Sequence, residues 1–533
     1  MKNNTIKAFF ALAIAATIGL ASCEDDFLNR PPEDRLAVDN FYKSYADLRL
    51  ATAPLYNIVW FDFHNRAIMP MGESRAGNLL APYNSEPWYM FTLSSLDGSL
   101  FNAWTGFHNV IGQANIIMRS IAQNATGVTD AQKNAAIGEA RFMRAQAYLN
   151  LVRAWGPVII IENNEDLLKN PIVRTNRVED VYKFVINDLT FAAKSLPATD
   201  EPGRVTQWAA KGLLAKAYLS RSGYNNNGTR NQADLDSAKF YAGDVIRNSG
   251  LTLLENYPDL FKYQFRNNRE SLFSLQWVPN GGWLVGNTLV SDLAYSSAVL
   301  GGSANGWSST YASYDMLKSY EKGDTIRRNT SWMSGGSFYP EINKATGGFR
   351  YPGTDTTRAP IKKYVPGGTA DNDGAIVATQ SSPLTTYMLR LSDVYLTYAE
   401  AALGNSASLS SGDGLTYFNM VRTRARVAPK TSITLSDMMN ERRVEFAMEF
   451  QYWYDLVSWW YFKPTEILNY INGQERGASY TYHKDASNNL VLRVATRKAN
   501  PVKATNENMR FPYPESEVVQ NPLLKEAPVA YKF

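Results

Sequence analysis

The stretch VTQWAAKGLLAKAYLSR, residues 205–221, decides the fold class of this chain. Its apolar residues recur every three or four positions, which is the spacing of one face of an amphipathic α-helix. A second stretch of this kind, QADLDSAKFYAGDVIRNS at 232–249, follows an Asn- and Gly-rich turn at 224–231. The two apolar faces consist of Ala209, Ala210, Leu213, Leu214, Ala217 and Tyr218, and of Leu235, Ala238, Tyr241, Ala242, Val245 and Ile246. Their alternation of small and large residues predicts two closely packed helices joined as a hairpin.

Helical periodicity of this kind occupies two blocks, at about 104–249 and 387–461. The predicted packing is similar to that of tetratricopeptide repeats, although the spacing is too irregular for a strict repeat of about 34 residues. The second block ends in an apolar stripe that predicts one continuous helix before Pro464. This stripe consists of Phe446, Phe450, Trp453, Val457 and Trp460.

Between the helical blocks, at about 255–385, the chain is rich in Gly, Ser, Asn, Pro and aromatic residues. Strand-like runs there are short, such as SLFSLQWV at 271–278, and a second irregular stretch covers 470–510. We therefore expect a mainly α fold, in which a tetratricopeptide-like helix-pair scaffold carries a loop-rich face with minor β-structure. Binding sites commonly lie on such loops. Residues 41–533 are expected to form a single body.

The first 40 residues predict export and attachment to a membrane. Residues 1–22 combine a basic start with an apolar run too short to remain as a membrane-spanning helix, which is typical of a secretory signal peptide. The ending LASC resembles a lipobox, so we expect cleavage before Cys23 and lipidation of its sulfur. Cys23 could instead be the small residue that closes an ordinary signal. The acidic, Pro-bearing residues 23–40 are expected to form an exposed tether.

Charge and composition disfavour several classes of function. The formal net charge is +4 and falls to +2 without the two lysines of the signal, and no basic stripe is present, so nucleic acid is not an expected partner. His64, His108 and His483 are far apart, and there is no glycine loop for a phosphate, so no metal or cofactor is expected. The DNDG at 371–374 has only part of a calcium loop and is interpreted as a polar turn.

Three carboxylates at four-residue spacing form the most enzyme-like pattern of the chain. Glu441, Glu445 and Glu449 could supply a general acid and base, as in glycoside hydrolysis. Arg442 and Arg443 interleave with them, and VRTRAR at 421–426 lies close by. Arginine and glutamate on adjoining helices form ion pairs more often than active sites. We therefore favour interhelical ion pairs and expect no catalytic residue.

The high aromatic content, 13% of the chain, includes rings in turn-rich sequence. Flat aromatic rings flanked by Asn, Arg and carboxylates can bind a sugar through its C–H face and its rim of hydroxyls. Burial in the core is the alternative for each single ring. The candidates for ligand contact are Arg75, Trp88, Tyr89, Trp283, Tyr295 and Trp307.

Several motifs together resemble the SusD/RagB family of nutrient-uptake lipoproteins. The opening CEDDFLNRPP follows the lipobox, and EARFMRAQAYLNLVRAWGPV at 139–158 and GRVTQWAAKGLLAKAYLS at 203–220 come next. YMLRLSDVYLTYAEAALG at 387–404, ERRVEFAMEF at 441–450 and the C-terminal FPYP follow in the same order as in that family. The resemblance extends over nearly the whole chain.

The resemblance implies a protein that is not an enzyme and that contains four tetratricopeptide-like helix pairs. It implies attachment to the outer face of the outer membrane, where the protein would bind a glycan and deliver it to a SusC-type TonB-dependent transporter. A carrier of peptides or another nutrient, a surface glycosidase and a purely structural adaptor are the alternatives. Glu441, Arg442, Glu445 and Glu449 are implied to be structural signature residues.

The chain departs from the family pattern in two places. The glutamate helix is commonly followed by E-G-x-R-x-x-D-L-x-R-W, whereas Glu449 is followed here by FQYWYDLVSWW. The usual FPIP is FPYP at 511–514. Both changes keep the apolar stripe, so the expected fold is the same, while an ion pair made there in relatives would be missing.

Overall fold

The computed structural model describes residues 41–533 apart from 82–84, 281–282, 303, 308–309, 500 and 502. The predicted signal peptide, Cys23 and the tether at 23–40 lie outside the described residues. The α-helices are α1 Tyr45–Thr52, α2 Glu86–Tyr89, α3 Gly98–Asn124, α4 Asp130–Trp155, α5 Asn164–Lys169, α6 Val178–Ser195, α7 Gln207–Ser222, α8 Gln232–Asn248, α9 Leu289–Leu293, α10 Tyr314–Lys318, α11 Thr325–Ser331, α12 Leu391–Leu403, α13 Asp413–Arg424, α14 Leu435–Glu445, α15 Tyr452–Trp460, α16 Pro464–Asn472 and α17 Glu515–Gln520.

The long helices pack on their neighbours in chain order. Helix α3 packs on α4, α4 on α6, α6 on α7, α7 on α8, α8 on α12, and α12 on α13. The predicted hairpin at 205–249 is present as α7 and α8, and Ala209, Leu213 and Leu235 are buried as the apolar spacing requires. The mainly α, tetratricopeptide-like fold predicted from the sequence is therefore confirmed. None of the helices among the described residues is both long and apolar enough to cross a bilayer.

The β-structure consists of short antiparallel pairs. The strands are β1 Leu79–Leu80, β2 Ser271–Leu275, β3 Tyr311–Ala312, β4 Phe338–Tyr339, β5 Phe349–Arg350, β6 Thr386–Arg390, β7 Ser479–Lys484 and β8 Leu490–Thr496. The pairs are β1 with β3, β2 with β6, β4 with β5, and β7 with β8. The strand-like run predicted at 271–278 contains β2, which pairs with β6. Strand β6 leads directly into helix α12.

The prediction of one continuous helix through the stripe from Phe446 to Trp460 is wrong. Helix α14 ends at Glu445, and α15 begins at Tyr452. Between them Met448 and Phe450 adopt the left-handed conformation, with φ of 62° and 63°, which a helix interior does not allow.

Two contacts with another part of the chain explain this break. The backbone N–H of Phe450 donates to Glu73 Oε1 at 2.8 Å. Gly72 passes so close that a Cβ at that position would overlap the carbonyl of Phe450. A tertiary contact therefore overrides the helical periodicity, and the stripe residues are still buried except for Trp460, which is half-buried.

Candidate functional site

Two consecutive π-helical turns form one wall of a surface cavity with a volume of about 360 Å³. The turns are Phe63–Ala67 and Pro70–Ser74 within one helical run at 61–74. Pro70 has no N–H to donate, which disfavours a regular α-helix at that point. Single π-turns inside helices occur frequently at functional sites. The lining includes Asn65, Arg66, Ser74, Asp292, Trp307 and Thr310.

Hydrogen bonds to neighbouring residues hold two polar groups of this cavity in position. Thr288 Oγ1 donates to Asn65 Oδ1 at 2.7 Å, and Thr310 Oγ1 donates to the carbonyl oxygen of Asp292 at 2.7 Å. Ser74 Oγ is buried and has no hydrogen-bond partner among the described residues. The lining therefore offers donors and acceptors in defined positions together with one unsatisfied hydroxyl.

Asp292 and Arg66 supply the charges of the cavity. Burial raises the pKa of Asp292 to about 6, and the nearby Arg66 opposes this shift. Arg66 is itself exposed to solvent. The carboxyl therefore changes its protonation state near neutral pH, between a hydrogen-bond donor and a pure acceptor.

Trp307 and Trp283 keep a large part of their surface accessible. Trp307 is 44% exposed and lines the cavity, and its backbone N–H donates to the carbonyl of Ser291 at 2.9 Å. Trp283 is 50% exposed and meets Phe61 edge to face, with 5.3 Å between the ring centroids. Phe61 begins the helical run that carries Asn65, so both indoles lie along the same segment of the fold.

One short segment, residues 379–381, anchors the loops that carry these two indoles. In the loop of Trp283, the N–H of Asn280 donates to Ser381 Oγ at 3.3 Å. In the loop of Trp307, the N–H of Asn305 donates to Thr379 Oγ1 at 3.0 Å. The common anchor brings the loops of the two predicted aromatic residues to one region, where Trp307 lines the cavity.

Three of the sequence-predicted contact residues lie in the core of this structure, where their side chains have almost no accessible surface for a ligand. Arg75, Trp88 and Tyr89 are 1%, 0% and 8% exposed. Arg75 is enclosed by the rings of Phe91, Trp453 and Phe511, and its guanidinium donates to the carbonyls of Trp88 and Asn508 at 3.1 and 2.6 Å. Trp88 packs edge to face on Phe511.

Tyr295 is partly buried, and its chain neighbours Ala294 and Ser296 lie against Gly306, the residue before Trp307. The ring of Tyr295 meets that of Tyr351 edge to face at 4.9 Å, and the guanidinium of Arg358 lies 5.9 Å from its centroid. Sequence analysis did not single out Asn65, Arg66, Asp292 or Thr310. Pro70 inside an otherwise helical segment is the signal that could have drawn attention to this wall.

The predicted carboxylate pattern forms buried ion pairs. Glu441 forms one ion pair with Arg327 and another with Arg422, the latter at 2.8 Å. Glu445 forms ion pairs with Arg390, at 2.7 Å, and with Arg424. Burial alone would raise the pKa of Glu445, but the guanidiniums outweigh this effect and lower the pKa to about 2.

The other two signature residues also form buried ion pairs. Glu449 lies beyond the end of α14 rather than on that helix face, and it bonds Arg390 at 2.7 Å and Lys363 at 3.1 Å. Arg442 bonds Asp393 and Asp455, each at 2.8 Å. These contacts are the ion pairs that the sequence favours over a catalytic pair.

The DNDG turn holds its aspartate with backbone groups. Asp371 accepts from the N–H groups of Asn343, Lys344 and Gly368 at 2.8 to 2.9 Å. The carboxylate oxygens of Asp371 therefore stabilise this turn through backbone hydrogen bonds. The part of the chain that the structure describes contains no group of three or more His, Cys, Asp or Glu residues that could hold a metal ion.

Comparison with known families and curated proteins identifies relatives of the whole chain. Residues 264–529 match the model of the SusD family, and residues 75–219 match a family described as "Starch-binding associating with outer membrane". A SusD-like protein of Bacteroides ovatus is 48% identical over 539 residues, which cover 98% of both chains.

Solved structures of other proteins are also similar to this chain over most of its length. A crystal structure with a xylogluco-oligosaccharide is 49% identical, has a TM-score of 0.87, and the match covers 91% of this chain and 99% of that one. A laminarin-binding SusD-like protein shares the fold, with a TM-score of 0.67 at 20% identity over 90% of this chain and 98% of that one. The chain therefore belongs to the SusD family, as its sequence motifs predict.

Proposed function

We propose that this protein binds a xyloglucan-type oligosaccharide on Trp283 and Trp307, beside the cavity lined by Asn65, Arg66 and Asp292. It then passes the glycan to a SusC-type TonB-dependent transporter for import across the outer membrane. Binding involves stacking and hydrogen bonds, with no covalent chemistry.

The observation that supports this proposal most directly is the exposure of the two indoles. Trp rings are large apolar surfaces that are buried on average in soluble proteins. Two of them, 50% and 44% exposed and held by one anchoring segment, form a platform for the C–H face of a sugar ring. The amide, guanidinium, carboxyl and hydroxyl groups of the adjacent cavity provide partners for sugar hydroxyls.

The choice of glycan rests on the relative at 49% identity, whose crystal structure contains a xylogluco-oligosaccharide. A xylogluco-oligosaccharide is neutral and branched, and the cavity next to Trp307 has room for a branching sugar. A pocket with one carboxyl and one guanidinium does not require a charged ligand.

Lipidation of Cys23 would keep this binding protein at the outer membrane next to its transporter. One acyl chain gives only marginal attachment, whereas two or more anchor a protein stably. The acidic residues that follow Cys23 resemble the surface-export signal of such lipoproteins. The tether would thus place the glycan platform on the outer face of the membrane.

Among the alternatives, a glycosidase needs two carboxyl groups about 5 to 9.5 Å apart on either side of the scissile bond. Glu441, Glu445 and Glu449 are committed to arginine and lysine. Among the described residues, Asp292 is the single carboxylate in the lining of the cavity. A peptide carrier would need a site for a backbone or a charged terminus, and a structural adaptor would need none.

Isothermal titration calorimetry with a xylogluco-oligosaccharide, maltoheptaose and a casein peptide mixture tests the proposal. We expect binding of the first ligand in the micromolar to millimolar range, about −4 to −8 kcal/mol, and loss of at least about tenfold in affinity for Trp307→Ala and Trp283→Ala. Phe240→Ala is the control, because Phe240 is an exposed aromatic residue of α8, on the helical scaffold. Binding of the peptides alone, or equal binding by all variants, would contradict the proposal.

A further inference from the structure

A second cavity, with a volume of about 440 Å³, lies where several ends of the helical scaffold meet. Helix α7 ends just before the cavity, α15 ends at its edge, and a short helical turn at Asn506–Met509 contributes Asn506 to its lining. Its lining is formed by other residues than the cavity beside Trp307. The residues that matter here are Tyr224, Asn225, Trp460, Tyr461, Asn506 and Arg510.

The aromatic residues of this second cavity are half-buried and rigidly held. Tyr224 and Tyr461 meet edge to face with 5.1 Å between their centroids, and Trp460 lies 5.8 Å from Tyr461. Trp460 Nε1 donates to Asn506 Oδ1 at 2.8 Å, which fixes the plane of the indole. Trp460 is also the one member of the predicted stripe that is not fully buried, so packing does not account for all of its surface.

Polar groups suited to hydroxyls surround these rings. Burial raises the pKa of Tyr224, and the positive charge of the nearby Arg510 opposes this shift. The side chain of Arg510 passes Gly156, where a Cβ would lie 2.8 Å from Arg510 Nε, so the glycine leaves room for the arginine. The side chains of Asn225 and Asn506 are exposed and carry amides that can both donate and accept.

We infer that this cavity is a second saccharide-binding site, which takes a sugar unit of the same glycan by stacking on Trp460 and Tyr224. Aromatic faces, amides and a guanidinium in one open cavity form the combination that recognises a pyranose. Two sites on one chain raise the effective affinity for a long polysaccharide even if each site is weak. This inference rests on the proposed function, because it assumes that the chain binds glycan.

Fluorine NMR of protein labelled with 5-fluorotryptophan tests both sites in one titration. Each of the 12 tryptophans gives a signal, and Trp460→Phe and Trp307→Phe assign the two that matter. We expect a xylogluco-oligosaccharide to shift the signals of Trp307 and Trp460, while that of the buried Trp60 stays fixed. A shift of Trp307 alone would overturn the second site and leave the proposed function standing. A shift of Trp460 alone would overturn binding at Trp307 and leave the second site standing, and no shift at either tryptophan would overturn both sites.

Affinity electrophoresis on soluble xyloglucan provides the quantitative test. The variant Trp283→Ala with Trp307→Ala should retain weak retardation, and adding Trp460→Ala should weaken it at least about threefold, as expected for loss of one stacking contact. Adding Trp460→Phe instead should preserve most of the retardation, because phenylalanine keeps an aromatic face. If the Trp460→Ala addition changes nothing while its thermal unfolding is normal, the second site does not exist.

Discussion

Arg390 and Glu449 are joined by two parallel hydrogen bonds, Nε to Oε2 at 2.7 Å and Nη2 to Oε1 at 2.9 Å, and both side chains are buried. Arg390 is the last residue of β6, and Glu449 lies in the loop between α14 and α15. This ion pair therefore ties the small β2–β6 sheet to the break in the predicted C-terminal helix.

The variant Glu449→Gln should be strongly destabilised. Removal of this buried carboxylate takes away the ion-pair partner of Lys363, while Arg390 keeps Glu445, and the uncompensated buried charge costs about 3 kcal/mol. Urea denaturation measures the change in the free energy of unfolding. Glu86→Gln, which breaks the exposed pair with Lys498, should change it by less than about 0.5 kcal/mol. Equal effects of the two variants would show that burial of the network is unimportant.

The variant Gly72→Ala should lose roughly 3 kcal/mol or fail to fold, because the added methyl group overlaps the backbone of Phe450. Gly98→Ala is a matched control in a helix, since a Cβ there meets no atom within 4 Å. Thermal unfolding of both variants tests the contact. A normal midpoint for Gly72→Ala would mean that the 70–74 turn and the loop at 446–451 do not pack as described.

The pH dependence of stability should carry a contribution from Asp292. Its pKa is about 6 in the folded protein, against an ordinary value of 3.8. The unfolded chain therefore releases this proton at lower pH than the folded chain, and stability falls as the pH rises between these two values. Asp292→Asn removes the effect, so its unfolding midpoint should exceed that of the wild type by an amount that grows from pH 4 to pH 7.

Asp236→Asn is the control for that experiment, because hydrogen bonds from Lys239 and Gln232 lower the pKa of Asp236. Its contribution has the opposite sign and is lost as the pH falls. A difference between Asp292→Asn and the wild type that is constant with pH, or that shrinks as the pH rises, would contradict the description of the cavity.

The variant Cys23→Ala should bind glycan in solution with unchanged affinity but remain in the soluble fraction and fail to support uptake. In the proposed function the lipid supplies attachment, whereas the proposed binding residues all lie within residues 41–533. Membrane fractionation and growth on the glycan as the sole carbon source measure the two effects. Undiminished uptake by this variant would show that the tether is dispensable.

The helical scaffold could be predicted because it is encoded locally. In α7 and α8 the spacing of the apolar residues predicts which of them are buried. Ala209, Leu213, Leu235 and Ala242 are all buried, as this spacing predicts. The break after Glu445 could not be predicted, because it depends on Gly72 and Glu73, which lie far away in the sequence.

The residues of the candidate site were only partly predictable for a related reason. Trp88 and Trp307 have similar polar flanks, yet the first is fully buried against Phe511 and the second is exposed. No local pattern separates them, because the contact that buries Trp88 comes from the C-terminal part of the chain. Asn65 and Arg66 lie in a helical segment. A polar residue in a helix does not by itself indicate a cavity, because the residues that pack around that helix are not known from the sequence.

The two π-helical turns between Phe63 and Ser74 also affect how the cavity can evolve. Loss of one residue from such a turn would restore an α-helical turn and leave the helix after it in nearly the same orientation, because the π-helical turn holds one extra residue. A single codon deletion could therefore remodel the wall of the cavity at the turn itself, while the rest of the helical run and the helix pairs behind it remain in place. The lining of the cavity can in this way change by one residue at a time without any change in the helical scaffold.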